Sequence, residues 1–480
     1  MKISLEDLDS SWPENFTDEA RAKARTLFFQ KLALLAHKCY GGKMQTMPKV
    51  GVWGKDWFNV WYTPGVSAVS TTIRDDINSS YIYSNRANTV AIVTDSTRVL
   101  GDGDCGISGG LGVMEGKAFL MKYLAGIDAV PLCVNNRRSD GKPDADKLID
   151  FVKMIEPSFG AVNLEDISKP NCFRVLDELR EQCQIPVWHD DAQGTACVIL
   201  AGLINALKLA DKTFSNSKFV LLGAGAANTT IARFILNVGA SPDNMIIFDS
   251  KGALHEDRKD LALDKWGYRQ WELCQKTNPK KINTMEEAIK NADALIALSK
   301  SGPDVIKPEW IKLMANKPIV FACANPVPEI YPYKAKEAGA FIVATGRGDF
   351  PNQVNNSVCF PGILKGALLT HASKITDNMA IKVAYSIANF AESRGINPEN
   401  IIPTMEEIDV FPMEAGEVAM QAIKDGVARC KLSYEEVYNI TKQDILNIRK
   451  YLEFFAKKKL ITPPPQELIE KTFQEVIAEV

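Results

Sequence analysis

The chain is short of the residues that build disulfides and zinc sites. Its 480 residues hold 10 cysteines, none in a C-x-x-C pair, so the sequence encodes no redox dithiol and no cysteine zinc knuckle. Thiols scattered in this way read as reduced and mostly buried, the pattern of a cytosolic protein. Histidine is scarcer, with 4 in the whole chain, which argues against a His-built zinc site. No sign of charge dominates either. Lys plus Arg number 56 against 59 Asp plus Glu, which excludes a chain-wide field for nucleic acid or an anionic membrane. The longest apolar-rich stretch, around residues 218–240, is broken by Asn228, Arg233 and Asn237, so no membrane span is expected. The N-terminus, MKISLEDLDS, has neither a basic n-region nor an apolar h-region, and no secretory signal is expected. Repeats and low-complexity tracts are absent. What remains is the ordinary balance of a soluble globular protein, 46% hydrophobic and 24% charged, with length for two domains and a small third. The expectation is a cytoplasmic enzyme.

The first 60 residues read as helical, with Leu27, Phe28, Leu32 and Leu35 on one stripe. A turn-rich segment follows, up to Tyr62-Thr63-Pro64-Gly65. Short apolar runs rich in β-branched residues then alternate with helical patterns. They are 89–94, 129–134, 159–164, 185–188, 218–222, 244–248, 293–298, 318–322 and 340–344. Near-continuous apolar strands separated by helices predict an α/β fold with mostly parallel sheets, covered on both faces. The segment GTACVILAGLINALKLA from Gly194 is apolar almost all round, as a buried connecting helix is. These patterns suggest an N-terminal α/β domain over 1–192, a Rossmann-type, doubly wound domain over 193–430, and a helical tail over 431–480. Within the tail, Pro463-Pro464-Pro465 form a stiff spacer, and the amphipathic helix after it carries Ile469, Phe473, Val476 and Val480 on one face, expected to pack on its own chain.

The run at 218–222 leads directly into Gly223-Ala224-Gly225-Ala226-Ala227-Asn228 and a helical pattern. Strand, glycine turn and helix in that order are the context of a dinucleotide fingerprint. Gly223 makes the tight turn, and Gly225 lets the backbone approach a pyrophosphate seated on the helix N-terminus. Asn228 stands where the third glycine is expected, and a side chain there should push the helix away from the strand. The next run ends in Asp249, near the spacing of a ribose-binding acid. A carboxylate there favours NAD, whereas Ser250 and Lys251, with Arg258 and Lys265 downstream, suit the 2′-phosphate of NADP. Both cofactors stay open.

Two acidic pairs, Glu165-Asp166 and Asp190-Asp191, follow two of the runs. Parallel strands present ligand sites at their carboxyl ends, so the pairs are expected side by side. Carboxylates converging without a cation would repel each other and shift upward in pKa. An all-oxygen set with little histidine points to Mg²⁺ or Mn²⁺. Lys117, within VMEGKAFL, has apolar neighbours that would desolvate it toward a general base. Tyr62 opens an exposed turn and is a candidate proton donor. Arg98 is a candidate carboxylate binder. Asn325 and the pair Asn355-Asn356 follow two late runs, where substrate-facing amides sit, while Asp102 and Asp104 flank glycines and read as turn residues.

Taken together, YTPGV (62–66), VTDSTRVLGDGD (93–104), VMEGKA (113–118), NLEDI (163–167), HDDAQGTA (189–196), LLGAGAA (221–227), ANPVPE (324–329) and QVNNSVCFPG (353–362) resemble the malic enzymes, especially their shorter, bacterial-type members. The resemblance implies Glu165, Asp166 and Asp191 as metal ligands, Lys117 as general base, Tyr62 as general acid, and Asp190 as the neighbour that orients the lysine. It implies Arg98, Asn325, Asn355 and Asn356 as substrate contacts, Asn325 also touching the nicotinamide. Gly223, Ala224, Gly225, Ala226, Ala227, Asp249, Ser250 and Lys251 would hold the dinucleotide. The implied reaction is oxidative decarboxylation of L-malate to pyruvate and CO₂, with reduction of NADP or NAD and a divalent metal. A homodimer is expected, with Tyr62 reaching across subunits, and with neither nucleic acid nor membrane as partner. The alternatives are a metal-dependent oxaloacetate decarboxylase or another hydroxyacid dehydrogenase on the same scaffold, and a dinucleotide sensor that has lost catalysis.

Overall fold

Each β-branched run expected as a strand forms one in the computed structural model, which describes residues 3–265 and 267–480. The described residues group into two compact units. One contains the residues before Val52 together with Leu446–Val480, and the other spans Val52–Ile445.

In the first unit the long helix Asp18–Tyr40 is capped by Thr17, whose side chain accepts from the Ala20 N–H, and ends at left-handed Gly41. Its Phe28 and Leu32 enter one core with Leu8, Trp12, Ile469, Phe473 and Val476. The rings of Trp12 and Phe473 stack at 4.8 Å. The C-terminal helix Gln466–Glu479 thus packs on its own chain.

The second unit holds two sheets. The first comprises β1 (Thr89–Thr94), β2 (Asp128–Cys133), β3 (Ala161–Leu164) and β4 (Val187–His189), all parallel in the order β2-β1-β3-β4. Val, Ile, Leu and Phe from β1, β3, β4 and the helices Ala145–Ile155 and Asn171–Gln182 form its core. The second comprises β5 (Phe219–Leu222), β6 (Met245–Asp249), β7 (Gly252–Ala253), β8 (Ala294–Ala297), β9 (Ile319–Ala322) and β10 (Ile342–Thr345), in the order β10-β9-β8-β5-β6-β7. Only the two-residue β7 is antiparallel. It was not expected from the sequence, being too short to carry a pattern. From β5 the chain steps to β6 on one side and later to β8 on the other, so the strand order reverses at β5. In a Rossmann-type sheet that reversal opens a crevice at the strand ends for a ligand.

The helix Thr195–Leu209 is buried along nearly its whole length. With the π-helical turn before it, Asp190–Leu209 is long and apolar enough to cross a membrane by composition, yet it lies largely inside the protein. Burial in the core accounts for its apolar composition.

Candidate functional site

Strands β3 and β4 pair with Leu164 opposite His189. The acidic pairs that follow them therefore leave the sheet side by side. Glu165, Asp166 and Asp191 each offer a carboxylate oxygen, all within 4.8 Å of one another. The Asp166 N–H donates to Asp191 Oδ2 at 2.8 Å, and the Leu100 N–H donates to Asp166 Oδ1 at 3.3 Å. Asp166 Oδ2 is buried with no hydrogen-bond partner. Burial pushes Glu165 well above its ordinary range, against the pull of Lys117. Burial, reinforced by Asp191, pushes Asp166 up to about 7. Three converging carboxyl groups with an orphaned oxygen fit a hard divalent cation such as Mg²⁺ or Mn²⁺, which takes oxygen ligands and compensates the repulsion.

Lys117 lies on the helix Leu111–Ala125, which follows β1, and only 8% of it is exposed. Its Nζ pairs with Asp190 Oδ2 and lies 3.0 Å from Glu165 Oε1. It stands 4.6 Å over the Phe360 ring and donates to Asn356 Oδ1 at 3.4 Å. The expected desolvation is present and by itself lowers the lysine. The carboxylates of Asp190, Glu165 and Asp191 outweigh it, so the ammonium is held above its ordinary range. The sequence reading of a lysine lowered by apolar neighbours is corrected here, because the partners that matter arrive from β3 and β4. A cation on the three carboxylates would cancel that field and let burial act.

The asparagine pair separates by role. Asn355 Oδ1 accepts from the Ser357 N–H at 2.9 Å and caps the short turn Asn356–Val358. Asn356 is the member that reaches Lys117. Arg98 is exposed on the loop after β1, its backbone N–H donating to Asp166 O at 3.0 Å. Its positive charge acts on Asp166. Asn325, beyond β9, is exposed, and a Cβ on Gly101 of the Arg98 loop would overlap its carbonyl. Tyr62 is not buried with the cluster. It follows the helix Trp57–Trp61 and is 74% exposed. Among the described residues no hydrogen bond joins it to Lys117.

At the second sheet, Gly223 takes φ +102°, and its N–H donates to Phe248 O at 2.8 Å. A Cβ there would overlap Leu298 O at the end of β8. The turn thus sits at the crevice where the strand order reverses. Gly225 opens the helix Ala226–Asn237 with empty space in front of its Cα, and Ala224 O accepts from Gln270 Nε2 at 2.6 Å. Asn228 overturns the expectation of a pushed-away helix. Fully buried, it donates through Nδ2 to Leu222 O at 3.0 Å and to Gly223 O at 2.9 Å, so the side chain ties helix to strand. Asp249 ends β6 beside this turn, with Ser250 and Lys251 exposed next to it.

The sequence matches the profile of the malic enzyme N-terminal domain over residues 42–180 and that of the malic enzyme NAD-binding domain over 192–424. The chain belongs to the malic enzyme family. The crystal structure of Entamoeba histolytica malic enzyme superposes with a TM-score of 0.97 at 57% identity, covering 99% of this chain and 98% of that one. The NAD-dependent malic enzyme of Geobacillus stearothermophilus is 42% identical over 391 residues, 81% of this chain and 78% of its own length. The NADP-dependent malic enzyme of Halomonas elongata is 37% identical over 383 residues, 77% and 87% of the two chains. Malic enzymes of both dinucleotide types are thus similar to this chain, and the family acts on small molecules.

Within this malic enzyme fold, sequence reasoning missed the residues that hold the carboxylates in place. Asn163, buried in β3, donates to Glu165 Oε2 at 2.8 Å, and the Trp188 indole N–H donates to Asp190 Oδ1 at 3.1 Å. A Cβ on Gly194 would overlap the Asp190 carboxylate, so only glycine leaves it that position. One signal was available for the first: an amide in the middle of an apolar strand must find a partner. The bonds of Trp188 and the constraint at Gly194 depend on side-chain geometry and left no pattern to read.

Proposed function

We propose that this chain catalyses the oxidative decarboxylation of L-malate to pyruvate and CO₂, with reduction of NADP or NAD and a divalent metal, Mg²⁺ or Mn²⁺. Family membership supports the reaction, and the observation that carries it is Lys117 Nζ set between Asp190, Glu165 and Asn356. Glu165, Asp166 and Asp191 are the residues to hold the metal. When bound, the metal supplies Lewis acidity at the substrate's oxygens, and the nicotinamide supplies the hydride acceptor.

The chain's own groups do the rest. Asp190 keeps the Lys117 amine aimed at the carboxylate cluster. Lys117 Nζ takes the proton of the C2 hydroxyl once the field of the carboxylates on it is cancelled. Arg98 binds a substrate carboxylate through its guanidinium, and Asn325 and Asn356 orient the substrate by their amides. Asn355 acts by shaping the turn that presents Asn356. The hydroxyl of Tyr62 protonates C3 after CO₂ leaves. Gly223, Ala224, Gly225, Ala226 and Ala227 seat the pyrophosphate, and Asp249, Ser250 and Lys251 meet the adenosine ribose.

Tyr62 is part of an exposed apolar surface with Trp53, Phe58, Val60, Trp61 and Val66. Such a surface supports a homodimer in which Tyr62 serves the partner's site. We further propose a cytoplasmic location, in keeping with free thiols throughout.

The test is absorbance at the reduced-nicotinamide band with L-malate and Mn²⁺. Malate-dependent reduction, lost in Lys117→Ala, is the expected result. Consumption of oxaloacetate alone would favour the decarboxylase, and a fully active monomer would remove the trans role of Tyr62.

A further inference from the structure

Next to the glycine turn lies a charge network that the proton chemistry does not use. Asp249 ends β6 where an acid, if free, accepts the ribose 2′-OH of a dinucleotide. Here it is engaged. Arg258 forks onto both oxygens, Nη1 to Oδ1 at 3.1 Å and Nη2 to Oδ2 at 2.7 Å. The Lys251 N–H adds a third bond to Oδ1 at 2.8 Å. Arg258 is itself held from the far side, donating through Nε to Asp260 Oδ1 at 2.9 Å and through Nη1 to Ala253 O at 3.3 Å. Both partners of the fork are 11% exposed at the side chain.

The neighbouring cation is held differently. Lys251 is 69% exposed, and its Nζ meets Asp260 Oδ2 at 3.1 Å. Exposed pairs of this kind are weak, so the ammonium is easily redirected to an arriving anion. The planar, bidentate guanidinium pair resists exchange. The acid that would repel a 2′-phosphate is therefore paired with a guanidinium, and the exposed groups beside it are Ser250 and Lys251.

We propose that Arg258 is the specificity-determining residue at the adenosine end: by clamping Asp249 it selects the dinucleotide that bears a 2′-phosphate, NADP, which Ser250 and Lys251 then meet. The proposal rests on the dinucleotide-binding reading of the Gly223 turn. Arg258 is a positioning residue here, acting through Asp249 and not on the phosphate itself.

The experiment measures kcat/KM for NADP and NAD with L-malate and Mn²⁺ in the wild type, in Arg258→Gln, and in the double variant Asp249→Asn/Arg258→Gln. Fluorescence titration with NADPH and NADH accompanies it and needs no turnover. The wild type should prefer NADP. Arg258→Gln, which frees the carboxylate against the phosphate, should lower the NADP-to-NAD ratio by about tenfold or more. The double variant should recover NADPH binding, because the repelling acid is gone. An NAD-preferring wild type, an unchanged ratio in Arg258→Gln, or no recovery in the double variant would each overturn the proposal. If Arg258→Gln does not fold, the double variant decides alone, since weak NADPH binding there would mean a direct contact. Absence of malate turnover with intact, NADP-selective titrations would sink the proposed reaction and leave the role of Arg258 standing.

Discussion

Asn163 on β3 and Trp188 on β4 are register partners, and each donates a hydrogen bond to the carboxylate two residues further along the chain, just past the end of its strand. One holds Glu165 and the other Asp190, and Lys117 lies between those two acids. Each strand thus carries the group that orients the acid standing just beyond its carboxyl end. The two bonds differ in what they hold: Glu165 is proposed as a metal ligand, Asp190 as the partner of the lysine.

Asn163→Leu keeps the volume of the buried side chain and removes its donor. Outer-shell partners of a ligating carboxylate affect metal affinity by about tenfold or more when lost. Mn²⁺ titration of the purified variant, with its melting curve recorded alongside, should show weakened metal binding in a folded protein. Unchanged Mn²⁺ affinity would separate Asn163 from the metal.

Trp188→Phe retains an aromatic ring and deletes the N–H to Asp190 Oδ1 together with part of the buried indole, so the variant's melting curve is recorded alongside. A hydrogen bond to a charged group contributes about 1.5–3 kcal/mol, so kcat should fall by about tenfold or more. Mn²⁺ affinity should change little, because Glu165, Asp166 and Asp191 keep their own bonds. Equal losses in both quantities would show that the site moves as one body.

Asn228→Gly restores the residue type of the usual fingerprint and removes two hydrogen bonds to the carbonyls of Leu222 and Gly223. Their net worth is about 1 kcal/mol each. Titration with a reduced dinucleotide should therefore show several-fold weaker binding. Tighter binding would mean that the amide separates helix and strand after all.

Glu414 lies fully buried, and neither carboxylate oxygen has a partner. Burial, helped by Cys197, pushes it well above its ordinary value of 4.5. Its folded state thus favours the neutral acid, so the stability it contributes is present below 4.5 and is lost as pH rises toward the folded value. Glu414→Gln, neutral at every pH, should melt at a temperature that rises relative to the wild type as pH increases from about 5 to about 9. Melting curves that stay parallel over this range would refute it.

Much of this protein was decided by sequence alone, for a physical reason. Buried parallel strands need continuous runs of Val, Ile and Leu, and such runs are visible without neighbours. The metal candidates were legible too, because the acids stand at strand ends and a parallel pairing needs no more than the order of strands to bring them together. Only the tertiary structure decided what depends on direction and distance. It set Asn356 and not Asn355 on Lys117, turned Asn228 from an obstacle into a tie, and placed Arg258 on Asp249. It also joined Phe28 to Phe473 in one core, across nearly the full length of the chain. A residue's chemistry is local, but the field and the hydrogen bonds it meets come from side chains brought by other elements, and no pattern within one strand or helix records them.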